Sequence, residues 1–252
     1  LLATDPDCDR VGIAVLDDGG YTLMTGNEVG CLLLNYVLTT RTELGTLPAH
    51  PVTVKTIVTS DLVLRIAEKF GCEVREVLTG FKYIGEQIGL LEKEGHPERY
   101  VFGFEESYGY LSGTYVRDKD GVNASMLICE MAAYYKKQGK SLLDVLDELY
   151  AEFGVFRHIL INAEFEGAEG MATMQKLMES LRENRPQEIA GLAVVRFSDY
   201  LASHSVDMRT GAETALTLPK SNVLVFGLED GAGVIVRPSG TEPKIKAYVT
   251  AT

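Results

Sequence analysis

Residues 52–77 read VTVKTIVTSDLVLRIAEKFGCEVREV, and the rhythm of that stretch changes twice. Val52 to Val58 is rich in β-branched residues, the composition of a strand. Leu62, Val63, Ile66, Ala67 and Phe70 then recur at helical spacing, with Ser60 or Asp61 as a cap and Gly71 as a stop. Val74 to Val77 is a second short strand. Strand, helix and strand in succession indicate an α/β domain with a largely parallel or mixed sheet.

The same alternation extends outward. A helix is expected over 27–40, with Val29, Leu32, Leu33, Tyr36 and Val37 on one face. Further towards the N-terminus, residues 1–4 and 11–16 are apolar runs around a compact acidic turn, which reads as strand, loop, strand. On the other side come a helix over 82–94 ending at Gly95, a strand from Arg99 to Phe104 and a polar, glycine-rich loop from Glu105 to Gly113. Helices over 121–137 and 142–153 follow, the second opened by a Ser141–Asp144 capping box. These segments predict an α/β domain with a mixed sheet. Past Gly154 the pattern shifts to a strand over Val155–Ala163, a helix over 168–183, and strands at 192–198, 203–209, 222–228, 232–237 and 244–250. That reads as a smaller α+β domain.

Composition narrows the function. The chain has 252 residues, 46% of them apolar, enough for one large or two ordinary domains. A net charge of −12 disfavours nucleic acid and anionic membranes as partners. An anionic substrate would therefore need a local cluster of cations. No run of ~18 apolar residues offers a membrane span. Cys8, Cys31, Cys72 and Cys129 include no CxxC pair, and no secretory pattern is present, so they read as reduced thiols of a cytoplasmic protein. Cys31, Cys72 and Cys129 are expected to be small buried hydrophobes. The chain opens on Leu1-Leu2-Ala3-Thr4, without a Met, as if on the second half of a strand. A piece of a longer protein is the expectation.

Five motifs carry chemistry. In Asp5-Pro6-Asp7-Cys8-Asp9-Arg10, three alternating carboxylates in a tight turn can converge on one point. Convergence of like charge is costly unless a cation neutralises it, and hard oxygen ligands suit Mg²⁺ or Mn²⁺. A solvated acidic turn is the competing reading. An EF-hand is excluded, because its sixth and twelfth positions would be Arg10 and Leu16. Thr79-Gly80-Phe81-Lys82 follows a strand, and Lys82 can reach an anion, although a plain helix start explains it as well. Gly103-Phe104-Glu105-Glu106-Ser107-Tyr108-Gly109-Tyr110 sets acids, a hydroxyl and aromatic rings at a strand end, the equipment of a sugar reader or of an exposed acidic loop.

Arg117-Asp118-Lys119-Asp120-Gly121 opens a helix, where a Lys reinforces the positive end of the dipole, or Asp120 simply caps it. Arg237-Pro238-Ser239-Gly240-Thr241-Glu242-Pro243-Lys244 offers hydroxyls, backbone N–H groups and an Arg fork for phosphate, and is the most specific of the five. Ser203-His204 is not a nucleophile–base pair, because neighbours on a strand point to opposite faces. No HExxH, P-loop, GxSxG or GxGxxG motif occurs.

In this order the five motifs resemble the α-D-phosphohexomutase family (phosphoglucomutase/phosphomannomutase), and most closely its bacterial phosphoglucomutase/phosphopentomutase branch. The resemblance covers essentially the whole chain and implies four domains, of which residues 1–24 close the second, 25–153 form the third and 154–252 the fourth. It implies Asp5, Asp7 and Asp9 as Mg²⁺ ligands beside a phosphoserine, and Arg10 as a neutralising catalytic group. Thr79, Gly80, Glu105 and Ser107 would read the sugar. Lys119, Arg237, Ser239, Gly240 and Thr241 would grip the substrate phosphate, with Lys82 and Arg117 as lesser candidates. The implied reaction interconverts glucose 1-phosphate and glucose 6-phosphate through a sugar 1,6-bisphosphate.

The family's serine loop, of Thr-Ala-Ser-His-Asn-Pro type, is absent from this sequence, so the chain alone is expected to be inactive. Cys8 introduces a thiol that would favour softer metal ions. The alternatives are a phosphopentomutase or phosphomannomutase, a metal-dependent phosphatase, and a non-enzymatic sugar-phosphate binding module.

Overall fold

The computed structural model describes residues 1–165, 169–239 and 243–252. The chain divides into two compact units, Leu1–Val155 and Phe156–Thr252.

The first unit begins with a three-stranded antiparallel sheet in the order β1 (Leu2–Thr4), β2 (Val11–Asp17), β3 (Gly20–Met24). α1 (Gly26–Glu43) starts at Thr25, whose hydroxyl accepts from the Glu28 N–H while Glu28 accepts from the Thr25 N–H at 2.8 Å. This capping box satisfies two donors that a helix start would otherwise leave orphaned. Then come β4 (Val52–Thr56), α2 (Leu62–Lys69), β5 (Glu73–Val77), α3 (Phe81–Lys93), a single 3₁₀ turn at Pro97–Arg99, β6 (Tyr100–Glu105) and β7 (Gly109–Leu111). α4 (Gly121–Lys137) and α5 (Leu142–Phe153) complete the unit.

The second sheet runs β5-β4-β6-β7, with β4 parallel to both its neighbours and β7 antiparallel to β6. The sequence predicts this mixed α/β sheet. It does not predict β3 or β7. The segment 105–113 reads as a loop, yet Tyr110 and Leu111 are almost fully buried in β7, and the chain reverses within Glu105–Gly109. Polar turn residues masked a three-residue strand.

α3 lays Phe81, Ile84, Ile88 and Leu91 on Val52, Val54, Val77 and Tyr100. Each such side chain contributes roughly 1.5–3 kcal/mol when taken out of water. β4 also holds Lys55, fully buried, with Nζ 2.9 Å from Asp61 and 2.8 Å from Glu76 and donating to the Thr59 carbonyl at 3.1 Å. Its apolar stem fills the layer while its ammonium fastens the turn that leaves the strand.

The second unit is one antiparallel sheet in the order β12-β11-β10-β13-β14-β15-β8. Its strands are β8 (Arg157–Glu164), β9 (Glu188–Ile189), which pairs with β10, then β10 (Leu192–Asp199), β11 (His204–Asp207), β12 (Glu213–Ala215), β13 (Leu224–Leu228), β14 (Gly233–Pro238) and β15 (Lys244–Ala251). α6 (Gly170–Glu183) packs Met174 and Met178 against Phe197, Leu224, Phe226, Val236 and Ile245. Helix on sheet is the α+β arrangement the sequence predicts. His204 opens β11, but Ser203 stands in the turn before it at φ +58, so the pair is not on one strand. No helix among the described residues is long and apolar enough to cross a membrane.

Candidate functional site

Between β1 and β2 the chain folds into a tight turn closed by the Cys8 N–H on the Asp5 carbonyl at 3.0 Å. The turn brings ligand oxygens of Asp5, Asp7 and Asp9 to within 4.8 Å of one another. Arg10 folds back on it, its backbone N–H on Asp5 Oδ1 at 3.1 Å and its Nε on Asp5 Oδ2 at 2.6 Å. Burial alone would push the Asp5 carboxyl up. The hydrogen bonds and charge of Arg10 outweigh that and hold it at about 2. Asp9 Oδ1 is buried without a hydrogen-bond partner, 3.8 Å from Arg10 Nε. Three converging carboxylates, one with an unsatisfied buried oxygen, form an all-oxygen donor set that fits a hard divalent cation. Cys8 is not in that set. It sits at φ +57 with its thiol 3.5 Å from the Thr4 hydroxyl.

The start of α4 is docked onto this turn. Asp120 caps the helix by accepting from the Val122 and Asn123 N–H groups, both at 2.9 Å. The Gly121 N–H donates to the Cys8 carbonyl at 3.1 Å. A Cβ at position 121 would lie 2.5 Å from that carbonyl oxygen, so only glycine allows the approach. Lys119, just upstream, connects three of the motifs. Its Nζ is 2.6 Å from Asp9 Oδ2 and 6.0 Å from the centre of the Phe81 ring, and its stem crosses Gly109 so closely that a Cβ there would lie 2.6 Å from Lys119 Cδ.

The Thr79–Gly80 and Gly103–Tyr110 motifs meet at the ends of β5 and β6, which flank β4. Glu105, at the end of β6, is almost fully buried and accepts from the Gly80 N–H at 2.8 Å. Gly80 stands at φ +123, a conformation that side-chain-bearing residues rarely adopt. The Thr79 hydroxyl oxygen beside it is buried without a hydrogen-bond partner. Tyr108, between Ser107 and Gly109, is held at φ +70, and its carbonyl accepts from the Val11 N–H at 3.1 Å, tying this loop to the acidic turn. Backbone outliers of this kind concentrate where function over-determines the fold.

Not every candidate joins. Lys82 lies over its neighbour's ring, Nζ 4.8 Å from the centre of Tyr83. Arg117 pairs with Glu92 and donates to the Thr114 and Val116 carbonyls, stapling its loop to α3. In the second unit Arg237 lies near the end of β14, and Ser239 donates its N–H to the Lys244 carbonyl at 2.7 Å, closing the β14–β15 hairpin. Gly240 and Thr241 lie outside the described residues. The sequence did not single out the roles of Phe81 and Gly109 under Lys119, or the Gly121 contact. The glycine immediately after a helix cap was the one available signal.

The family model for the phosphoglucomutase/phosphomannomutase α/β/α domain III matches residues 25–153, and that for the C-terminal domain matches residues 160–252. The chain belongs to the phosphoglucomutase/phosphomannomutase family. A phosphoglucomutase of Staphylococcus aureus (strain bovine RF122 / ET3-1) is 41% identical over 251 residues, which is 99% of this chain and 44% of that protein. The Staphylococcus haemolyticus phosphoglucomutase is 39% identical over the same span. This phosphohexomutase chain therefore spans under half the length of the curated relatives it matches. Among solved structures, the open form of pp63/parafusin, a phosphoglucomutase from Paramecium, superposes with a TM-score of 0.66 at 21% identity, covering 99% of this chain and 40% of that one. An N-acetylphosphoglucosamine mutase of Aspergillus fumigatus, crystallised with glucose 1,6-bisphosphate, gives 0.51 at 15%, covering 99% and 44%. These two likenesses are of fold.

Proposed function

We propose that this chain supplies the metal, sugar and phosphate sites of a phosphoglucomutase that interconverts glucose 1-phosphate and glucose 6-phosphate. The observation that carries the reading is the meeting of Asp5, Asp7 and Asp9 with Arg10 and Lys119 beside the Thr79–Gly80 and Glu105 strand ends. An acidic protein that gathers two cations around a carboxylate cluster has built a place for a metal ion and a phosphoryl group together. Identity of about two fifths with phosphoglucomutases supports the same reading. Residues 1–24 would close one domain, 25–153 form the sugar-reading domain and 154–252 the phosphate-gripping domain.

In this proposal Asp5, Asp7 and Asp9 hold Mg²⁺, which supplies Lewis-acid stabilisation of phosphoryl oxygens. Arg10 and Lys119 neutralise charge that spreads over the transferring group. Thr79, Gly80, Glu105 and Ser107 orient the hexose, and the 237–241 loop holds the phosphate that is not reacting. The transfer moves a phosphoryl group from a phosphoserine to the free hydroxyl of the sugar monophosphate. The hydroxyl proton passes to the released serine oxygen, the 1,6-bisphosphate turns over, and the serine takes back the other phosphoryl group as its own hydroxyl proton returns to the sugar oxygen. Catalysis of this kind is mainly positioning and electrostatics. The sequence has no serine loop of the family type, so the 252 residues alone should not turn over. The four unpaired thiols suit a cytoplasmic setting.

The test is a competition assay on the full-length protein with glucose 1-phosphate and ribose 1-phosphate, Mg²⁺ and trace bisphosphate, followed by phosphorus NMR. Preferential formation of glucose 6-phosphate supports the proposal. Preferential formation of ribose 5-phosphate moves the protein to the phosphopentomutase branch, and no turnover of either sugar contradicts the phosphoglucomutase proposal and leaves the binding-module and phosphatase readings standing.

A further inference from the structure

In a chain of net charge −12, two arginines that share a single carboxylate are conspicuous. The second unit holds such a pair, lining one cavity of about 560 Å³: Arg196 on β10 and Arg209 in the turn after β11. Among the described residues, neither guanidinium makes a hydrogen bond or an ion pair. One acid is shared between them: Asp207 stands directly across the ladder from Arg196, and its carboxyl is held below the usual range by hydrogen bonds from Thr210 and Arg209 and by the Arg209 charge. Asp207 Oδ1 accepts from the Arg209 and Thr210 N–H groups at 2.9 and 2.8 Å. Glu229 and Asp230 serve backbone N–H groups, Glu229 that of Ala193 at 3.2 Å and Asp230 that of Ala232 at 2.9 Å. Asp207 also lines the cavity, and its carboxylate is used to shape the turn that presents Arg209.

The backbone is shaped to display Arg196. It precedes Phe197, which is buried under α6, so Arg196 points to the opposite, open face of the sheet. The pairing of β10 with β13 shifts register between Val194 and Arg196, the kind of irregularity that re-aims a side chain. Directly across the ladder from Arg196 stands Gly227. A methyl group there would lie 3.3 Å from both Cβ and Nε of Arg196 and 3.7 Å from its Nη2. With glycine in that place, the guanidinium stem lies flat over the strand and its fork faces the cavity. Ser205 and Thr214 add hydroxyl-bearing walls.

We propose that this cavity is a binding site for a small organic phosphate, separate from the 237–241 loop. Two guanidinium forks exceed what one carboxylate can accept, whereas the three oxygens of a phosphate satisfy both. The cavity of about 560 Å³ has room for an organic or second phosphate group beside the phosphate that the two forks would hold. The cavity adjoins the β13–β14 turn. Arg237 sits at the far end of β14, roughly 17 Å away at about 3.3 Å per residue. The two sites cannot share one phosphate. The assignment does not depend on the sugar-phosphate reading of the first unit.

The test is amide NMR of the whole 252-residue chain, titrated with pyrophosphate and with glucose 1-phosphate. An Arg237→Ala background silences the 237–241 loop. The expected result is saturable, one-to-one shifts at the Arg209, Gly227 and Ala232 amides with at least one probe. That affinity should weaken at least about tenfold in Arg196→Gln and in Arg209→Gln, and not change in Lys176→Gln, which removes an equal charge from exposed α6. The retained spectrum of each variant shows that it folds. No response at those three amides to either probe overturns the proposal. So does a response that survives Arg196→Gln and Arg209→Gln, or one confined to residues 237–244 in the parent and lost with Arg237→Ala.

Discussion

Gly121 is the residue on which the acidic turn rests. Its backbone N–H holds the Cys8 carbonyl, and there is no room for a methyl group between them. Gly121→Ala should destabilise the first unit by about 1–3 kcal/mol, because a rigid backbone and not a flexible side chain must yield. It should also weaken divalent-metal binding roughly 10–100-fold through displacement of the turn that carries the ligands. Urea unfolding and a metal titration of the same variant measure both effects. The cysteines give a second check at this scale. Of the three expected to be buried, Cys31 and Cys72 are, but Cys129 is exposed, as is Cys8. Burial pushes both the Cys31 and Cys72 thiols up to about 12. A thiol reagent at neutral pH should therefore modify Cys8 and Cys129 in the native chain and all four on unfolding. The three aspartates were legible at this scale because alternating carboxylates in one turn have few uses. The position of Lys119 against Asp9 was not, because it depends on a helix returning from more than a hundred residues away in sequence.

At the scale of elements, the 52–77 unit was read correctly because each segment obeys its own period and ends on its own stop. β7 and β3 were hidden because short, turn-rich strands carry too few residues to show a period. Their pairing is decided by β6 and β2, which they cover. Lys55 is the element-scale feature that a hydrophobic pattern cannot explain. Its ammonium serves Asp61 at the start of α2, Glu76 on β5 and the turn carbonyl of Thr59 at once. Lys55→Met keeps the apolar stem and removes the charge, leaving the buried Thr59 carbonyl and two half-exposed carboxylates without their donor. The expected loss is about 2–4 kcal/mol, held below the upper range for broken buried pairs because Asp61 and Glu76 are half exposed. Chemical denaturation measures it, and a change below about 0.5 kcal/mol would mean that the three contacts are incidental.

For the whole molecule, the sequence pattern changes from alternating strands and helices to a strand-rich tail, and the chain divides into two compact units, Leu1–Val155 and Phe156–Thr252. The Arg196–Arg209 cavity was not legible in the sequence, because its two arginines are separated by a turn and become neighbours only through the register of β10, β11 and β13. Buried titratable groups also set the stability of the whole chain in alkali. Burial raises Cys31 and Cys72 from 9.0 to about 12, and burial with Glu130 raises Tyr36 from 10.0 to about 12. Above pH 9 the unfolded chain releases these protons first and binds fewer than the native chain. Stability is therefore complete below that pH and falls as pH climbs towards 12. The urea midpoint should be clearly lower at about pH 11 than at about pH 8, and an unchanged midpoint would show that these groups are not buried in solution.

The central claim is that Asp5, Asp7 and Asp9 form a site for a hard divalent cation, from which the phosphoryl-transfer reading follows. A Mn²⁺ titration followed by electron paramagnetic resonance tests it on this chain without need of turnover. The account predicts one Mn²⁺ per chain, displaced by Mg²⁺ and lost in Asp7→Asn, a variant at an exposed position that leaves the Arg10 and Lys119 pairs intact. Absence of a bound ion, or an Asp7→Asn chain that binds Mn²⁺ as tightly as the parent, would contradict it.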